Sequence, residues 1–219
     1  MKIQPNSKLV MIGDSITDCQ RSRQVGASFS EALGNGYVSY VNGLLTARYP
    51  EYCIQVFNKG VSGDTVHELK ARWQTDVLDL QPDWLSICIG INDVWQHFDT
   101  QYQLESLVSL DEYRLTLDEL LRATTPVLNG LILMTPYFVI PNRSDSMRAM
   151  MDLYGEVVRR LATQYQAYLV DTQASFDQAL VHLDPAVLAW DLAHLTPAGH
   201  MILARAYLRA IDFEWGDGR

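Results

Sequence analysis

The stretch Leu9-Val10-Met11-Ile12-Gly13-Asp14-Ser15 decides how this sequence should fold. Four apolar residues are followed by a glycine and two polar residues, a pattern typical of a short buried strand that ends in a turn. Further short apolar runs recur along the chain, between segments of helical periodicity. The predicted strands cover residues 9–13, 54–58, 84–90, 130–135 and 167–171.

Helical patterns occupy the segments between these strands and follow the last one. The alternation of strand and helix predicts βαβ units, in which the strands run parallel and helices cover both faces of the sheet. With right-handed crossovers, we expect an α/β fold: a three-layer α/β/α sandwich with a five-stranded parallel sheet in the flavodoxin-like order 2-1-3-4-5. The predicted helices cover residues 37–48, 65–78, 110–124, 145–165, 173–180 and 196–211.

Length and composition favour a single globular domain and argue against nucleic-acid-binding and membrane-binding proteins. A chain of 219 residues with 48% hydrophobic content can bury a large core, and we expect one domain spanning residues 1–219. A net charge of -9 argues against nucleic acid and anionic membranes as partners. Residues 1–8 contain no apolar signal segment, and the three widely spaced cysteines suit free thiols in a reducing compartment, so a cytoplasmic protein is expected.

Polar residues follow several predicted strands at the point where each strand ends. Ser15 follows the first strand, Gly63 the second and Asn92 the third. Asp191 and His194 lie three residues apart in the connection that leads into the last helix. Because ligands of open parallel sheets bind beyond the carboxyl ends of the strands, topology predicts that these residues meet at one edge.

A serine, a histidine and an aspartate that meet can perform nucleophilic catalysis. His194 is the predicted base for the Ser15 hydroxyl, and Asp191 is predicted to hold the imidazole in the right tautomer. The backbone N–H groups of Ser15 and Gly63 and the amide of Asn92 are predicted to bind the oxyanion. The sequence therefore predicts a serine esterase with an acyl-enzyme intermediate and no cofactor.

Simpler interpretations compete with parts of this scheme. Asp191, His194 and His200 suggest a metal site, but the two histidines are separated by a helix start and a hydrolytic zinc usually has three protein ligands, so no metal is expected. The connection 27–36 is predicted to be a flexible loop. Its Gly34-Asn35-Gly36 segment lacks the third glycine and the preceding strand of a nucleotide-binding motif.

Four segments resemble the sequence blocks of the SGNH or GDSL hydrolases. Their order and spacing are more specific than any single segment, and the resemblance implies an SGNH-hydrolase domain. One departure is that Leu195 directly follows the histidine, where many members of the family have proline. The matching segments are Gly13-Asp14-Ser15, Gly63, Gly90-Ile91-Asn92-Asp93 and Asp191-Leu192-Ala193-His194.

The segments that flank these blocks resemble the intracellular acetylxylan esterases of bacilli. The resemblance implies an acetylated carbohydrate substrate such as acetylated xylo-oligosaccharides, and a homo-oligomer that is as large as an octamer. A lysophospholipase or thioesterase, and a catalytically idle carbohydrate-binding protein, are the alternatives. The flanking segments are residues 14–19, 91–95, 188–191 and 198–206.

Aromatic residues are frequent in the connections at the predicted ligand-binding edge. Trp95, Tyr137, Phe138 and Trp190 are candidates for a platform on which a sugar ring stacks. Buried packing or a subunit interface explains each of them equally well. Asp14 is a candidate substrate contact, with support of the Ser15 turn through backbone hydrogen bonds as the other interpretation.

Overall fold

The computed structural model describes residues 1–24 and 26–216, and its centre is one sheet of five parallel strands. The strands are β1 (Lys8–Gly13), β2 (Gln55–Gly60), β3 (Trp84–Cys88), β4 (Gly130–Met134) and β5 (Tyr168–Val170). Their order is β2-β1-β3-β4-β5, and every neighbouring pair is parallel. The predicted strand order is confirmed; of the expected domain 1–219, residue 25 and residues 217–219 lie outside the described residues.

Helices cover both sides of this sheet, as predicted. In one group, α3 and α9 each pack on α11, and in a second group, α4 and α8 each pack on α7. The helices are α1 (Ser15–Asp18), α2 (Phe29–Leu33), α3 (Tyr37–Arg48), α4 (Val66–Ala71), α5 (Trp73–Asp76), α6 (Ile91–Trp95), α7 (Leu110–Thr124), α8 (Ser146–Gln164), α9 (Thr172–Leu180), α10 (Pro185–Leu188) and α11 (Pro197–Ala210). Short 3-10 turns lie at Pro50–Tyr52, Leu78–Leu80, Gln96–Phe98, Leu104–Ser106 and Thr125–Val127.

Burial of the strands follows their place in the sheet. Every residue of the central strand β3 is buried, and Leu9 to Ile12 of β1 are buried completely. Strand β2 lies at the edge and its buried residues alternate with more exposed ones. A strand covered by helices on both faces needs apolar residues at successive positions, which explains why the first and third strands are the clearest apolar runs in the sequence.

Four local predictions need correction, the first being that β3 ends at Cys88, two residues before the predicted end. The helix predicted for residues 65–78 is broken at Arg72, which leaves the helical conformation (φ -105°, ψ 7°) and separates α4 from α5. The second strand runs to Gly60, two residues beyond the predicted end. The connection 27–36, predicted as a flexible loop, contains α2, whose first turn is stabilised by a capping box of Ser28 and Glu31.

The break at Arg72 has a tertiary cause. Its guanidinium donates to the carbonyls of Gly13 (2.9 Å) and Lys59 (2.6 Å), at the carboxyl ends of two adjacent strands. It also forms ion pairs with Asp64 (2.6 Å) and Asp76 (3.0 Å). Asp76 lies at the ordinary helical spacing of four residues, but the two carbonyls lie on strands, and bonding to them holds together the ends of β1 and β2 in competition with helix propensity.

We expect Arg72→Ala to destabilise the fold strongly. Removing the cation leaves the largely buried Asp64 carboxylate unpaired, a change that typically costs about 3–5 kcal/mol of unfolding free energy. Lys70→Ala, which breaks an exposed pair with Glu119, is the control and should cost less than about 1 kcal/mol. Urea denaturation measures both values; equal small losses would show that Arg72 does not hold the strand ends together.

Candidate active site

Three predicted side chains meet in a hydrogen-bonded series at the carboxyl edge of the sheet. Ser15 begins α1 directly after β1, and its Oγ lies 3.1 Å from Nε2 of His194. Nδ1 of His194 lies 2.7 Å from Oδ2 of Asp191. With the Nδ1 proton donated to the carboxylate, Nε2 is left as the acceptor for the serine hydroxyl.

Hydrogen bonds within the turn hold Asp191 and His194 in place. Oδ1 of Asp191 accepts hydrogen bonds from the N–H groups of Ala193 (3.1 Å) and His194 (2.7 Å). The turn contains Leu192 in the left-handed region (φ 70°), and the Trp190 N–H donates to the His194 carbonyl (3.1 Å). These bonds fix the position of the Asp191 carboxylate relative to the His194 imidazole.

Asp191 is kept as a carboxylate by its hydrogen bonds. Partial burial raises the pKa of Asp191, but the bonds donated by the His194 ring and by two backbone N–H groups outweigh burial and the net pKa lies below its usual value. A charged Asp191 can stabilise an imidazolium at His194. The arrangement can therefore transfer a proton from Ser15 to His194.

The loops after β2 and β3 are joined by two hydrogen bonds. The Asn92 side-chain amide donates to the Asp64 carbonyl (2.9 Å), and Oδ1 of Asp93 accepts from the Val66 N–H (3.0 Å). Gly63 has a φ of +89°, a conformation that L side chains rarely adopt, while no heavy atom lies within 4 Å of a Cβ built there. Backbone conformation, not crowding, is what favours glycine at Gly63.

Ser15 and His194 open onto a cavity of about 340 Å³. The Trp190 indole forms part of its rim, is 71% exposed and stacks on the His194 ring, with centroids 4.9 Å apart and an interplanar angle of 17°. Sequence reasoning missed Gln20, Asn35 and Ser62 in the wall, since no motif marks them. A larger groove of about 460 Å³ between α9 and α11 contains Arg205 and Arg209 but none of the predicted catalytic residues.

Burial contradicts the predicted substrate contacts of Tyr137, Phe138 and Asp14. Tyr137 is completely buried and donates to the Ala193 carbonyl (2.9 Å), and Phe138 belongs to the core, so neither can offer a ring face to a ligand. Trp95 is half-buried and packs against Phe138. Asp14 is fully buried and caps α1 through the Ile16 N–H (2.9 Å), so it supports the Ser15 turn and does not reach a substrate.

His200 lies beside the cavity with both ring nitrogens engaged. Nδ1 accepts from the Tyr37 N–H (3.2 Å), and Nε2 lies 3.4 Å from the Cys19 sulfur. Burial lowers the pKa of His200 to about 4, so the ring is neutral near pH 7. Within residues 1–24 and 26–216, no three histidine, cysteine, aspartate or glutamate side chains converge in a way that could hold a metal ion.

Two carboxyl groups beneath the site are deeply buried, and each has one oxygen without a hydrogen-bond partner in the described part of the chain. These oxygens are Oδ2 of Asp14 and Oδ2 of Asp93. Burial raises the pKa of both groups to about 7, despite the opposing hydrogen bonds from backbone N–H groups. A protonated carboxyl is therefore a substantial part of the population of each residue near neutral pH.

A parallel α/β sheet that ends in a hydrogen-bonded serine, histidine and aspartate is the architecture of a serine hydrolase. The chain belongs to the GDSL-like lipase/acylhydrolase family, whose model matches residues 11–202. The predicted resemblance to this family is thereby confirmed. Among the described helices, none combines the length and the apolar character needed to cross a lipid bilayer.

Known relatives match nearly the whole chain. An acetylxylan esterase from Geobacillus stearothermophilus is 55% identical over 215 residues, which are 98% of each chain. The crystal structure of this enzyme, Axe2, has a TM-score of 0.95 at 55% identity and full coverage of both chains. An alpha/beta hydrolase enzyme, LAE5, from the metagenome of Lake Arreo in Spain has a TM-score of 0.94 at 48% identity over 97% of this chain and 98% of its own.

The buried Asp14 carboxyl gives stability a pH dependence that Asp14→Asn should remove. The unfolded chain ionises Asp14 near its ordinary pKa of 3.8 and the folded protein near 7, so the contribution of this group to stability falls as pH rises between these values. We expect the stability of Asp14→Asn relative to the native protein to increase from pH 5 to pH 7, by up to about 1.4 kcal/mol per pH unit.

Chemical denaturation at a series of pH values measures this difference. Gln178→Ala, which removes an exposed side chain that does not titrate, is the control, and its difference from the native protein should not vary with pH. A constant difference for Asp14→Asn would mean that Asp14 is ionised in the folded protein throughout this range.

Proposed function

We propose that this protein is a serine esterase that removes acetyl groups from acetylated carbohydrate, with xylo-oligosaccharides as the sugar. The observation that carries the proposal is the hydrogen-bonded series from Ser15 through His194 to Asp191, which opens onto a cavity at the sheet edge. Such a series supplies a nucleophile, a base and an orienting carboxylate in one place.

In the first step, Oγ of Ser15 attacks the acetyl carbonyl carbon while Nε2 of His194 takes the hydroxyl proton. The carbonyl oxygen becomes negative and is bound by the N–H groups of Ser15 and Gly63 and by the Asn92 amide. The amide uses one hydrogen for the Asp64 carbonyl, and within residues 1–24 and 26–216 nothing bonds to its second hydrogen, which we assign to the oxyanion. Collapse of the intermediate breaks the bond to the sugar oxygen, which receives the proton from His194.

In the second step, water replaces the sugar alcohol. His194 accepts a proton from the water as the water oxygen attacks the acetyl carbon, and the same donors bind the oxyanion. Acetate leaves when the bond to Oγ of Ser15 breaks and the serine recovers its proton from His194. Neither step requires a cofactor. The charged Asp191 stabilises the imidazolium that forms in each.

The substrate class is supported by the relatives and by the cavity wall. The Geobacillus enzyme is an acetylxylan esterase, and a variant of it at 54% identity is described as an acetyl-xylooligosaccharide esterase. The wall contains the polar side chains of Gln20, Asn35 and Ser62, which suit a sugar better than the acyl chain of a lysophospholipid or thioester substrate. The intact hydrogen bond between Ser15 and His194 argues against a catalytically idle protein.

We further propose that the chain folds as one SGNH-hydrolase domain and works in the cytoplasm. We also propose that it forms a homo-oligomer as large as an octamer. One continuous sheet supports the single domain. Cys19, Cys53 and Cys88 are all free thiols, which fits a reducing compartment. Trp215 is a large, exposed apolar side chain of the kind found in subunit contacts.

Ser15→Ala should abolish hydrolysis without affecting the fold. Loss of the nucleophile is expected to lower kcat by at least about 10⁴-fold, as in other serine hydrolases. Acetate release from acetylated xylo-oligosaccharides and p-nitrophenol release from its acetate ester measure the loss, and circular dichroism checks the fold. Ser106→Ala, at an exposed serine in a 3-10 turn, should keep native activity; turnover by well-folded Ser15→Ala would reject the nucleophile.

Asn92→Ala should slow the chemical step. Removing one oxyanion donor typically costs about 2.7–4 kcal/mol of transition-state stabilisation, or roughly 10²–10³-fold in kcat. Asn129→Ala removes an exposed asparagine that precedes β4, at the other end of the sheet, and should leave kcat unchanged. A kcat within twofold of the native value for Asn92→Ala would exclude its amide from the oxyanion site.

A further inference from the structure

A pair of side-chain amides lies in the cavity wall and takes no part in the mechanism above. Nδ2 of Asn35 donates to Oε1 of Gln20 over 3.1 Å. Both residues are exposed, and both line the same cavity as Ser15 and His194. An exposed hydrogen bond between two long polar side chains adds little to stability, so its position beside the nucleophile calls for another explanation.

The backbone beneath this pair is held in an unusual conformation. Cys19 and Gln20 are consecutive non-glycine residues in the left-handed region, with φ values of 37° and 63°. The Asn35 N–H donates to the Cys19 carbonyl (2.8 Å), which ties the two segments together. Such strained backbone persists only where its surroundings enforce it, and it is frequent at binding sites.

Gly34 makes the approach of these two segments possible. Its φ is +74°, and a Cβ built on it would lie 2.6 Å from the Asp18 carbonyl oxygen and 2.7 Å from that of Cys19. Only glycine fits this conformation and this contact. The Gly34-Asn35 segment, predicted to be a flexible loop, is therefore a fixed support that directs the Asn35 amide toward the cavity.

The amide pair keeps several polar groups for a ligand. Within the described residues, no other group of the protein bonds to Nε2 of Gln20, to Oδ1 of Asn35 or to the second hydrogen of Nδ2. The pair thus presents two kinds of donor and one acceptor side by side. Adjacent hydroxyl groups, each of which donates and accepts, are well matched to such a set, and an acyl chain or a simple alkyl alcohol is not.

An apolar surface lines the same cavity. The Trp190 indole is 71% exposed, and because it stacks on the His194 ring its orientation is fixed relative to the catalytic base. The C–H face of a pyranose ring packs well on an indole, while the ring hydroxyls need hydrogen-bonding partners. The wall of the cavity therefore contains both surfaces that a sugar ring needs, next to Oγ of Ser15.

We propose that Gln20 and Asn35 form a subsite that binds hydroxyl groups of the sugar ring bearing the ester, with Trp190 against an apolar face of that ring. The inference rests on the proposed esterase function and deepens it, because it assigns recognition of the alcohol half of the substrate to named residues. Gln20 and Asn35 discriminate a polyhydroxylated alcohol from a lipid or aromatic alcohol, and the acetyl group is bound elsewhere, at the oxyanion donors.

The test compares two acetyl esters that differ only in their alcohol. Gln20→Ala and Asn35→Ala are assayed with acetylated xylo-oligosaccharides and with p-nitrophenyl acetate. Loss of one or two neutral hydrogen bonds should lower kcat/KM for the sugar ester by about tenfold in each variant. The value for p-nitrophenyl acetate should stay within about twofold of native, which also shows that the variants are folded and that the catalytic groups are in place.

Gln178→Ala is the matched control, since Gln178 is an exposed glutamine in the groove between α9 and α11. It should leave both substrates unaffected. Equal losses on both esters in the Gln20 and Asn35 variants would overturn the proposal, because the pair would then merely support the Ser15 turn. Unchanged kcat/KM on both esters would also overturn it.

The native protein distinguishes failure of the subsite from failure of the proposed function. If it hydrolyses p-nitrophenyl acetate but not the sugar ester, the proposed carbohydrate substrate is refuted, and the subsite with it.

Discussion

The hydrogen bond between Oγ of Ser15 and Nε2 of His194 is the contact on which the account of this protein depends. It joins residues 179 positions apart in the sequence over 3.1 Å, and no local structure could form it. The parallel sheet makes it possible, because right-handed crossovers bring the carboxyl end of β1 and the loop before the last helix to one edge. Short turns then place the two side chains, with Asp14 capping the helix that begins at Ser15.

Hydrogen bonds from polar side chains to backbone carbonyls hold these turns in place. Arg72 bonds to the strand ends on one side of Ser15, and the Asn58 amide donates to the carbonyls of Thr17 (2.7 Å) and Leu33 (2.8 Å) on another. The buried Tyr137 hydroxyl fixes the turn that carries His194. Each of these groups donates to backbone carbonyls of the turns and strand ends around the site, so positioning of the site and stability of the fold depend on the same bonds.

Sequence analysis predicted the helices and strands that have a clear hydrophobic periodicity, and the catalytic residues that follow strand ends. The bounds of α3 and α7 agree with the predicted helices, and α7 has a clear amphipathic pattern and a first turn closed by a capping box of Ser109 and Glu112. The break at Arg72 was not predictable, since the Gly13 and Lys59 carbonyls that its guanidinium binds lie at strand ends that only folding brings near. The prediction that aromatic residues of the connecting loops bind the substrate failed in part, because residue type alone does not separate the buried Tyr137 from the exposed Trp190. Gln20 and Asn35 belong to no motif, and only folding brings their amides together.

Trapping the covalent intermediate tests the central claim most directly. The native protein, mixed with excess p-nitrophenyl acetate and quenched in acid during turnover, is digested and its peptides are analysed by mass spectrometry. The mechanism predicts that the peptide containing Ser15 gains the mass of one acetyl group, and that fragmentation places the group on Ser15. An acetyl group on another residue, with Ser15 unmodified while the ester is being hydrolysed, would contradict the assignment of Ser15 as the nucleophile.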